Sequence, residues 1–229
     1  MTRGTKSKFP LGPWPRIFIF DLDGTLADAY PAIFKSFNAA MAAFGYREKS
    51  PAVIRKAVGW GDQKLLEPFV RRRDLAGVLA YYREHHARAL SRGSFWMPGA
   101  RPLLRALKKS GARVAIASNR PSAFTRMIVK KLGMERFLDV VQCADRLRDK
   151  KPSPWTLRNI LRKLSLRPED ALYVGDMAID IQAAKRARVS SAAVATGSSS
   201  LKALKREKPD YLFRGLAELR IAFLKNRQR

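Results

Sequence analysis

The sequence predicts an α/β fold in which a Rossmann-like parallel sheet has helices on both faces and a helical segment inserted near its start. Short apolar runs alternate with amphipathic stretches, as they do where helices cover both faces of a buried parallel sheet. About ninety residues separate the first two runs, far more than one crossover connection needs. We expect a core of residues 16–28 and 96–229, an inserted helical domain of residues 29–95, and a loose basic tail of residues 1–15.

The predicted strands are short runs rich in β-branched, aromatic and small apolar residues. They cover residues 16–20, 113–117, 139–143, 171–175 and 192–195, with a short edge strand over residues 211–213. Because the internal strands are apolar at consecutive positions, both of their faces are expected to be buried.

The inserted segment has the period of amphipathic helices. Apolar side chains recur at helical spacing in its first part, and Gly45 ends that helix. Further helices are predicted over residues 53–58, 64–72 and 75–90. Pro98-Gly99 then marks the return of the chain to the core.

Composition excludes several classes of protein. Hydrophobic residues make up 46% of the 229 residues and charged residues 28%, proportions that argue against a disordered chain. The single cysteine, Cys143, excludes an intramolecular disulfide framework. No apolar run approaches the roughly 18 residues of a membrane helix. We expect a cytoplasmic protein without a membrane partner.

The net charge is unusually positive. The chain has 46 Lys and Arg against 19 Asp and Glu, a net charge of +27, so anions meet an attractive field. The basic residues are spread over all segments, without a nucleic-acid-binding motif or a row of aromatic residues for base stacking. The charge therefore favours anionic ligands in general, and only nonspecific contact with nucleic acids.

Two carboxylates follow the first predicted strand. Asp21 and Asp23 stand two positions apart in the run Asp21-Leu-Asp23-Gly-Thr25, at the end of a strand where parallel α/β sheets bind ligands. Such a pair is repulsive unless a cation is shared, and carboxylate oxygens suit Mg²⁺. A helix cap or an Asx turn is the alternative explanation.

Three further motifs follow later predicted strands. They are Ser118-Asn119, Lys151-Pro152 and Gly175-Asp176-Met-Ala-Ile-Asp180. Together with the first motif, they resemble the four motifs of the haloacid dehalogenase superfamily of phosphohydrolases, over about residues 17–219. The chain resembles the phosphoglycolate phosphatase-like members, which carry a helical cap where this chain has its insertion. The resemblance implies a phosphatase with a capped Rossmann-like core.

The resemblance also implies roles for the acidic residues. Asp21 is the expected nucleophile, which forms an aspartyl-phosphate. Asp23 is expected to protonate the leaving alkoxide and later to deprotonate the attacking water. Mg²⁺ is expected on the carboxylates of Asp21 and Asp176 and on the backbone carbonyl of Asp23. Asp180 would bind the ion through water or orient the other ligands.

The other motif residues are expected to hold the phosphoryl group. Ser118 would donate its hydroxyl, the backbone N–H of Asn119 would lie alongside, and Lys151 would neutralise both the phosphoryl group and Asp21. Thr25 is counted with the substrate-binding residues. Taken singly, a serine in the position of Ser118 is more often a helix cap, and a lysine such as Lys151 is more often solvated.

Substrate selection is expected to come from the inserted domain. Its segment 58–64, with Trp60 and Lys64, resembles the segment that faces the substrate in related enzymes, and Arg120 is a second cationic candidate. The alternatives are Trp60 packed in the core of the inserted domain, and Lys64 and Arg120 as surface charges.

Four further features receive no role in the chemistry. His85 and His86 are expected to be surface or packing residues of a helix. Lys150 stands where relatives often have Gly, so that it could compete for the anion. Residues 197–200, Gly-Ser-Ser-Ser, replace a commoner Gly-aromatic segment and are expected to alter only the rim of the site.

The predicted function is Mg²⁺-dependent hydrolysis of a small phosphorylated metabolite, with phosphoglycolate as the first substrate to test. Pyrophosphate, sugar phosphates and nucleoside monophosphates stay open, as do pyrophosphatase and β-phosphoglucomutase-like activities. Gly175 favours a hydrolase, because mutase relatives often carry an acidic residue there. The alternative from another class is a nucleic-acid-binding protein that uses the basic C-terminal residues Lys202, Lys205, Arg206, Lys208, Arg214, Arg220, Lys225, Arg227 and Arg229.

Overall fold

The computed structural model describes residues 15–227. The predicted basic tail, residues 1–15, lies outside the described residues apart from Pro15. Within the described part, the strands in chain order are β1 (Ile17–Phe20), β2 (Ala27–Asp28), β3 (Phe95–Trp96), β4 (Arg113–Ser118), β5 (Val140–Cys143), β6 (Ala171–Gly175), β7 (Ser190–Val194) and β8 (Tyr211–Phe213). Six of them form one parallel sheet in the order β5-β4-β1-β6-β7-β8. The predicted α/β fold is confirmed.

Helices account for most of the remaining chain. In order they are α1 (Tyr30–Ala43), α2 (Pro51–Ala57), α3 (Asp62–Leu66), α4 (Leu75–Leu90), α5 (Ala100–Lys109), α6 (Ser122–Lys131), α7 (Trp155–Lys163), α8 (Ala178–Ala187), α9 (Leu201–Arg206) and α10 (Leu216–Arg227). The first four lie between β2 and β3, and the others accompany the sheet. Among the described residues, no helix has both the length and the apolar character needed to cross a membrane.

Strand β1 lies in the middle of the sheet and contributes to two hydrophobic cores. Phe18 and Phe20 pack on one face with residues of α5, α6 and α10, whereas Ile17 and Ile19 pack on the other with residues of α7 and α8. All four side chains are buried. Successive residues of a strand point to opposite faces, so that a strand covered on both sides is apolar throughout.

The strand register determines where polar side chains can meet. Phe20, the last residue of β1, is in register with Ile116 of β4 and Val174 of β6. The residues that follow these positions lie at one edge of the sheet, because the three strands are parallel. This edge carries three of the four sequence motifs.

Helices α1 to α4 form the inserted helical unit, which has its own hydrophobic cluster. Helices α1 and α4 pack against each other and bury Phe37, Met41, Val78 and Tyr82. Strands β2 and β3 pair antiparallel, with Ala27 opposite Trp96. The chain therefore leaves the core and returns to it through one two-stranded ribbon.

Two local features differ from the sequence prediction. The helix predicted over residues 64–72 is wrong in extent, since α3 ends at Leu66 and a single 3₁₀ turn, Glu67–Phe69, follows. Pro68 has no N–H to continue the α-helical hydrogen bonds. The ribbon of β2 and β3 was not predicted, because two-residue strands have no recognisable hydrophobic period.

Candidate active site

Three buried carboxylates meet at the carboxyl edge of the sheet. Asp21 directly follows β1, Asp176 directly follows β6, and Asp180 lies in the first turn of α8. One oxygen atom of each carboxylate lies within 4.8 Å of the others. The parallel topology therefore brings together acids that are more than 150 residues apart in the chain.

Lys151 provides the positive charge of this cluster. Its Nζ lies 2.7 Å from Asp21 Oδ1 and 2.8 Å from Asp180 Oδ1. It also donates to the Tyr173 hydroxyl at 2.9 Å, and that hydroxyl in turn lies 2.9 Å from Asp180 Oδ1. Because the Lys151 side chain is only 2% exposed, these contacts hold it in one position between the two carboxylates.

Asn119 orients Lys151 through its side chain. Its Oδ1 accepts from the backbone N–H of Lys151 at 2.6 Å, and its Nδ2 donates to the Lys151 carbonyl at 3.1 Å. The same Nδ2 donates to the carbonyl of Gly59 in the inserted helical unit at 2.9 Å. Asn119 thus has a positioning role in addition to the backbone contact expected from the sequence.

The pKa shifts in the cluster reflect burial and an excess of negative charge. Burial raises the pKa of Asp21 to about 7, although the neighbouring Lys151 acts to lower it. Burial and the charges of Asp21 and Asp180 raise the pKa of Asp176 well above its usual value. For Lys151, burial acts to lower the pKa, but the charges of Asp180 and Asp21 outweigh it and raise the pKa.

These residues fit a divalent cation. Three carboxylates share a single ammonium group, and the buried cluster therefore lacks positive charge. All the acidic donors are hard oxygen atoms, which Mg²⁺ prefers. A dication would offset both the burial and the mutual repulsion that raise the pKa of Asp21 and Asp176.

Glycines enclose Asp176. A Cβ atom on Gly197 would lie 1.7 Å from Asp176 Oδ2, and one on Gly24 would lie 2.8 Å from the same atom. Asp176 Oδ2 accepts from the backbone N–H of Ser198 at 2.9 Å, and Oδ1 accepts from the Thr25 hydroxyl at 3.0 Å. The prediction that residues 197–200 alter only the rim is wrong, because this segment contacts Asp176.

Asp23 is paired with Arg120. Arg120 Nε lies 2.7 Å from Asp23 Oδ2, and Nη2 lies 2.9 Å from Oδ1, which is a bidentate contact. The third nitrogen, Nη1, lies 2.6 Å from His86 Nε2. Arg120 is 7% exposed. The interpretation of Arg120 as a surface charge is wrong, because its guanidinium is buried and paired with Asp23 and His86. Its contact with a substrate anion stays a prediction.

A cavity of about 40 Å³ opens beside these groups, enough for only a few water molecules. Its core side is lined by Asp21, Asp23, Ser118, Asn119, Arg120 and Lys151. Its other side is formed by the inserted helical unit, with Val58, Gly59, Asp62, Leu65 and Tyr82. The buried Ser118 accepts from the Arg120 backbone N–H through Oγ at 3.1 Å, which leaves its hydroxyl hydrogen available toward the cavity.

Three other predicted contacts lie elsewhere. Trp60 is 42% exposed and belongs neither to this cavity nor to the core of the inserted helical unit. Lys64 is exposed and pairs with Glu67 at 2.7 Å. Thr25 is fully buried, and its hydroxyl is directed to Asp176 rather than to a substrate. The first two lie on a short helix and its preceding loop, which turn them outward.

Lys150 also differs from expectation. Its Nζ donates to the carbonyls of Asn119 and Ala144 at 2.6 and 2.9 Å. The ammonium group therefore supports the loop behind the site instead of competing for an anion.

Sequence reasoning missed Tyr173 and His86. Tyr173 lies within β6, where an aromatic residue is ordinary, and only its hydrogen bonds to Lys151 and Asp180 distinguish it. His86 falls on the buried face of α4 with Val78, Tyr82 and Leu90. The four-residue spacing could have predicted a buried His86 with a polar partner, since a histidine on an apolar helix face requires one.

Comparisons with known proteins agree with this architecture. Phosphoglycolate phosphatase 1 of Pseudomonas aeruginosa is 30% identical over 219 residues, which cover 90% of this chain and 78% of that protein. The crystal structure of a predicted phosphoglycolate phosphatase from Haemophilus somnus matches with a TM-score of 0.85 at 22% identity, over 93% of this chain and 100% of the other. CbbY from Rhodobacter sphaeroides, in complex with phosphate, matches with a TM-score of 0.74 at 24% identity, over 89% and 96%. The two structures support the fold.

The fold and the site define a Rossmann-like enzyme with an acidic centre beside an inserted helical unit. A family model described as haloacid dehalogenase-like hydrolase matches residues 18–194. The chain belongs to this family. The resemblance and the predicted class of enzyme, a phosphoric monoester hydrolase, are confirmed.

Proposed function

We propose that this chain is a cytoplasmic, Mg²⁺-dependent phosphatase that hydrolyses a small phosphomonoester through an aspartyl-phosphate on Asp21. The observation that carries the proposal is the cluster of Asp21, Asp176 and Asp180 around Lys151, at the carboxyl edge of a parallel sheet. The relatives named phosphoglycolate phosphatase make phosphoglycolate the first substrate to test.

Asp21 and Lys151 carry the phosphoryl-transfer step in this proposal. An Asp21 oxygen bonds to phosphorus while the bond to the ester oxygen breaks. Lys151 neutralises the phosphoryl oxygens, and Ser118 donates its hydroxyl to one of them. Asp23 gives a proton to the departing alcohol. In the second step, Asp23 accepts a proton from the water that hydrolyses the aspartyl-phosphate. Each residue then returns to its starting state.

Mg²⁺ would be held by the carboxylates of Asp21 and Asp176 and by the backbone carbonyl of Asp23, with Asp180 orienting them. When bound, it would supply positive charge for the phosphoryl oxygens. Thr25, Ser198 and the glycines around Asp176 are the parts of the chain that keep that carboxylate aimed at the site.

The inserted helical unit, residues 29–95, acts as a cap in this proposal. It supplies one wall of the cavity and excludes water from the phosphoryl group. The small cavity and its partly apolar wall favour a small leaving group.

Gly175 supports a hydrolase rather than a mutase. A Cβ atom at this position would lie 2.4 Å from Asp180 Cγ, so the acidic residue often found there in mutases does not fit this backbone. Pyrophosphatase activity and specific binding of nucleic acids by the basic C-terminal residues are the alternative hypotheses. The side chains of Lys225, Arg227 and Arg229 lie outside the described part of the chain.

Phosphate release from a panel of substrates tests the proposal. The panel contains phosphoglycolate, pyrophosphate, sugar phosphates, nucleoside monophosphates and p-nitrophenyl phosphate, each with Mg²⁺ and with EDTA. We expect turnover only with Mg²⁺, and a loss of about 10⁴-fold or more in Asp21→Asn, as when other nucleophiles are removed. Glu84→Gln, at an exposed carboxylate on α4, is the control and should retain activity. Metal-independent turnover, or an active Asp21→Asn variant, would contradict the proposal.

A further inference from the structure

Arg120 connects Asp23 to the inserted helical unit. Its Nε and Nη2 contact both oxygens of Asp23, and its Nη1 contacts His86 Nε2 at 2.6 Å. Asp23 and Arg120 follow β1 and β4 of the core, whereas His86 belongs to α4. A row of three side chains therefore runs from the inserted helical unit to the site. The two members behind Asp23 are buried, Arg120 at 7% exposure and His86 at 0%.

Packing and hydrogen bonding fix the ring of His86. It stacks on Tyr82 with 5.0 Å between ring centroids and meets Phe124 of α6 edge-on at 5.2 Å. Its Nδ1 lies 3.2 Å from Ser36 Oγ, whose own hydrogen is donated to a backbone carbonyl. A guanidinium has only donors, so Nε2 accepts from Arg120 and the ring proton is on Nδ1. Burial and the charge of Arg120 keep the ring neutral by lowering the pKa of His86 to about 2.

The proposed function makes a specific demand on Asp23. As the phosphorus–oxygen bond of the ester breaks and Asp21 bonds to phosphorus, the Asp23 proton moves to the departing oxygen and leaves a carboxylate. The transfer requires the carboxyl group to lie within hydrogen-bond reach of that oxygen. Two parallel hydrogen bonds from one guanidinium define the plane of a carboxylate as well as its position. Arg120 can do this only if its own orientation is fixed, and His86 provides that contact.

We infer that Arg120 is a positioning residue for the acid Asp23, and that His86 holds Arg120 in place from the inserted helical unit. The inference rests on the proposed function. It assigns to the inserted helical unit a part in aligning the acid, in addition to forming a wall of the cavity.

The dependence on the leaving group separates this role from a structural one. An alkoxide needs a proton as it departs, whereas p-nitrophenolate is stable as an anion and needs little help. The value of kcat/KM reports the steps up to departure of the leaving group, so the variant Arg120→Met is compared on both kinds of substrate. We expect kcat/KM to fall by about a hundredfold or more for the best alkyl phosphate of the panel, and by less than about tenfold for p-nitrophenyl phosphate.

Variants of His86 test the contact between Arg120 and His86. They also test the inference if Arg120→Met does not fold. His86→Leu removes the acceptor, whereas His86→Gln keeps a carbonyl oxygen that can accept from Arg120. We expect His86→Leu to lower kcat/KM for the alkyl phosphate by about tenfold, with little change for p-nitrophenyl phosphate. His86→Gln should retain most of the wild-type kcat/KM for the alkyl phosphate. The matched control is His85→Leu, because His85 contacts Ser36 but not Arg120. It should behave like the wild type.

Each outcome bears on one of the two claims. Equal losses for both substrates in Arg120→Met and His86→Leu, unchanged rates, or faster turnover would overturn the inference while leaving the phosphatase intact. Absence of Mg²⁺-dependent turnover in the wild type would instead contradict the proposed function, and the inference would fall with it. Circular dichroism and a thermal melt establish that each variant is folded.

Discussion

The two sides of the cavity are built differently. On the core side, Asp21, Asp176 and Lys151 are buried, and each is held by contacts with residues that follow or belong to strands. On the other side, the loop between α2 and α3 meets the core through contacts such as that of the Gly59 carbonyl with Asn119. Trp60 and Lys64, on this loop and on α3, lie outside the cavity and are exposed. The sheet therefore positions the groups proposed for the chemistry, whereas a loop forms the part of the wall that would face the rest of the substrate.

After Asp21→Asn, the largest effect on the core side is expected from Asp176→Asn. The loss of one charge should weaken Mg²⁺ binding and lower turnover by about a thousandfold, because a catalytic metal contributes several kcal/mol to transition-state stabilisation. Saturating Mg²⁺, at about a hundred times its Kd, should stabilise the wild type by about 2.7 kcal/mol and leave the variant unchanged. In EDTA, the variant should melt at or above the wild-type temperature, because it removes a repelling carboxylate. A variant that still gains stability from Mg²⁺ would exclude Asp176 as a ligand.

A single methyl group should have the next largest effect. Gly197→Ala would place its Cβ on Asp176 Oδ2, so we expect a loss of about 1–3 kcal/mol in stability and of about 10–100-fold in activity. Gly215→Ala is the matched control, since its Cβ would meet only a Thr196 methyl group at 3.5 Å. Thermal melts and kcat measurements compare the two. Equal melting temperatures and equal kcat values in Gly197→Ala and Gly215→Ala would mean that residues 197–200 do not constrain Asp176.

The pH dependence of stability should reveal the buried His86. Burial, together with the charge of Arg120, lowers its pKa from 6.5 to about 2. Below pH 6.5, the unfolded chain therefore binds a proton that the folded chain does not, and stability is lost as the pH falls. The contribution of His86 to the slope of the unfolding free energy against pH approaches about 1.4 kcal/mol per pH unit. The raised pKa of Asp21 acts in the opposite direction over this range, so the test is a comparison of variants by urea denaturation. Between pH 6.5 and 5, the free energy of unfolding should fall less, or rise more, on acidification in His86→Gln than in the wild type, and His85→Gln should follow the wild type closely. Equal slopes in the wild type and His86→Gln would contradict the burial of a neutral ring.

Exposed residues on the loop side should have the smallest effect. Lys64→Met removes an exposed cation that pairs with Glu67, so we expect stability within about 0.5 kcal/mol of the wild type and nearly unchanged kcat/KM. A large rise in KM for anionic substrates would show that Lys64 reaches the substrate after all, and would move part of substrate selection to this surface.

The difference between the two sides also explains which parts of the site could be predicted from the sequence. Asp21, Ser118 and Asp176 were predictable as neighbours, because each lies at the end of a strand and parallel strands share an edge. The pairing of Arg120 with His86 was not, since it depends on how a helix of the inserted unit docks on the core. Hydropathy identified Tyr173 only as a strand residue, and the proximity of Gly197 to Asp176 depends on a backbone approach that no local pattern encodes.

The most direct test of the central claim is to trap the covalent intermediate. In Asp23→Asn with Mg²⁺, p-nitrophenyl phosphate should still transfer its phosphoryl group, because its leaving group needs no acid, while the missing base slows hydrolysis of the product. Rapid acid quenching followed by peptide mass spectrometry should then find one phosphoryl group on Asp21, and none in the double variant that also carries Asp21→Asn. A phosphoryl group on another residue, or turnover of the substrate with no phosphorylated peptide, would contradict the proposal that Asp21 is the nucleophile.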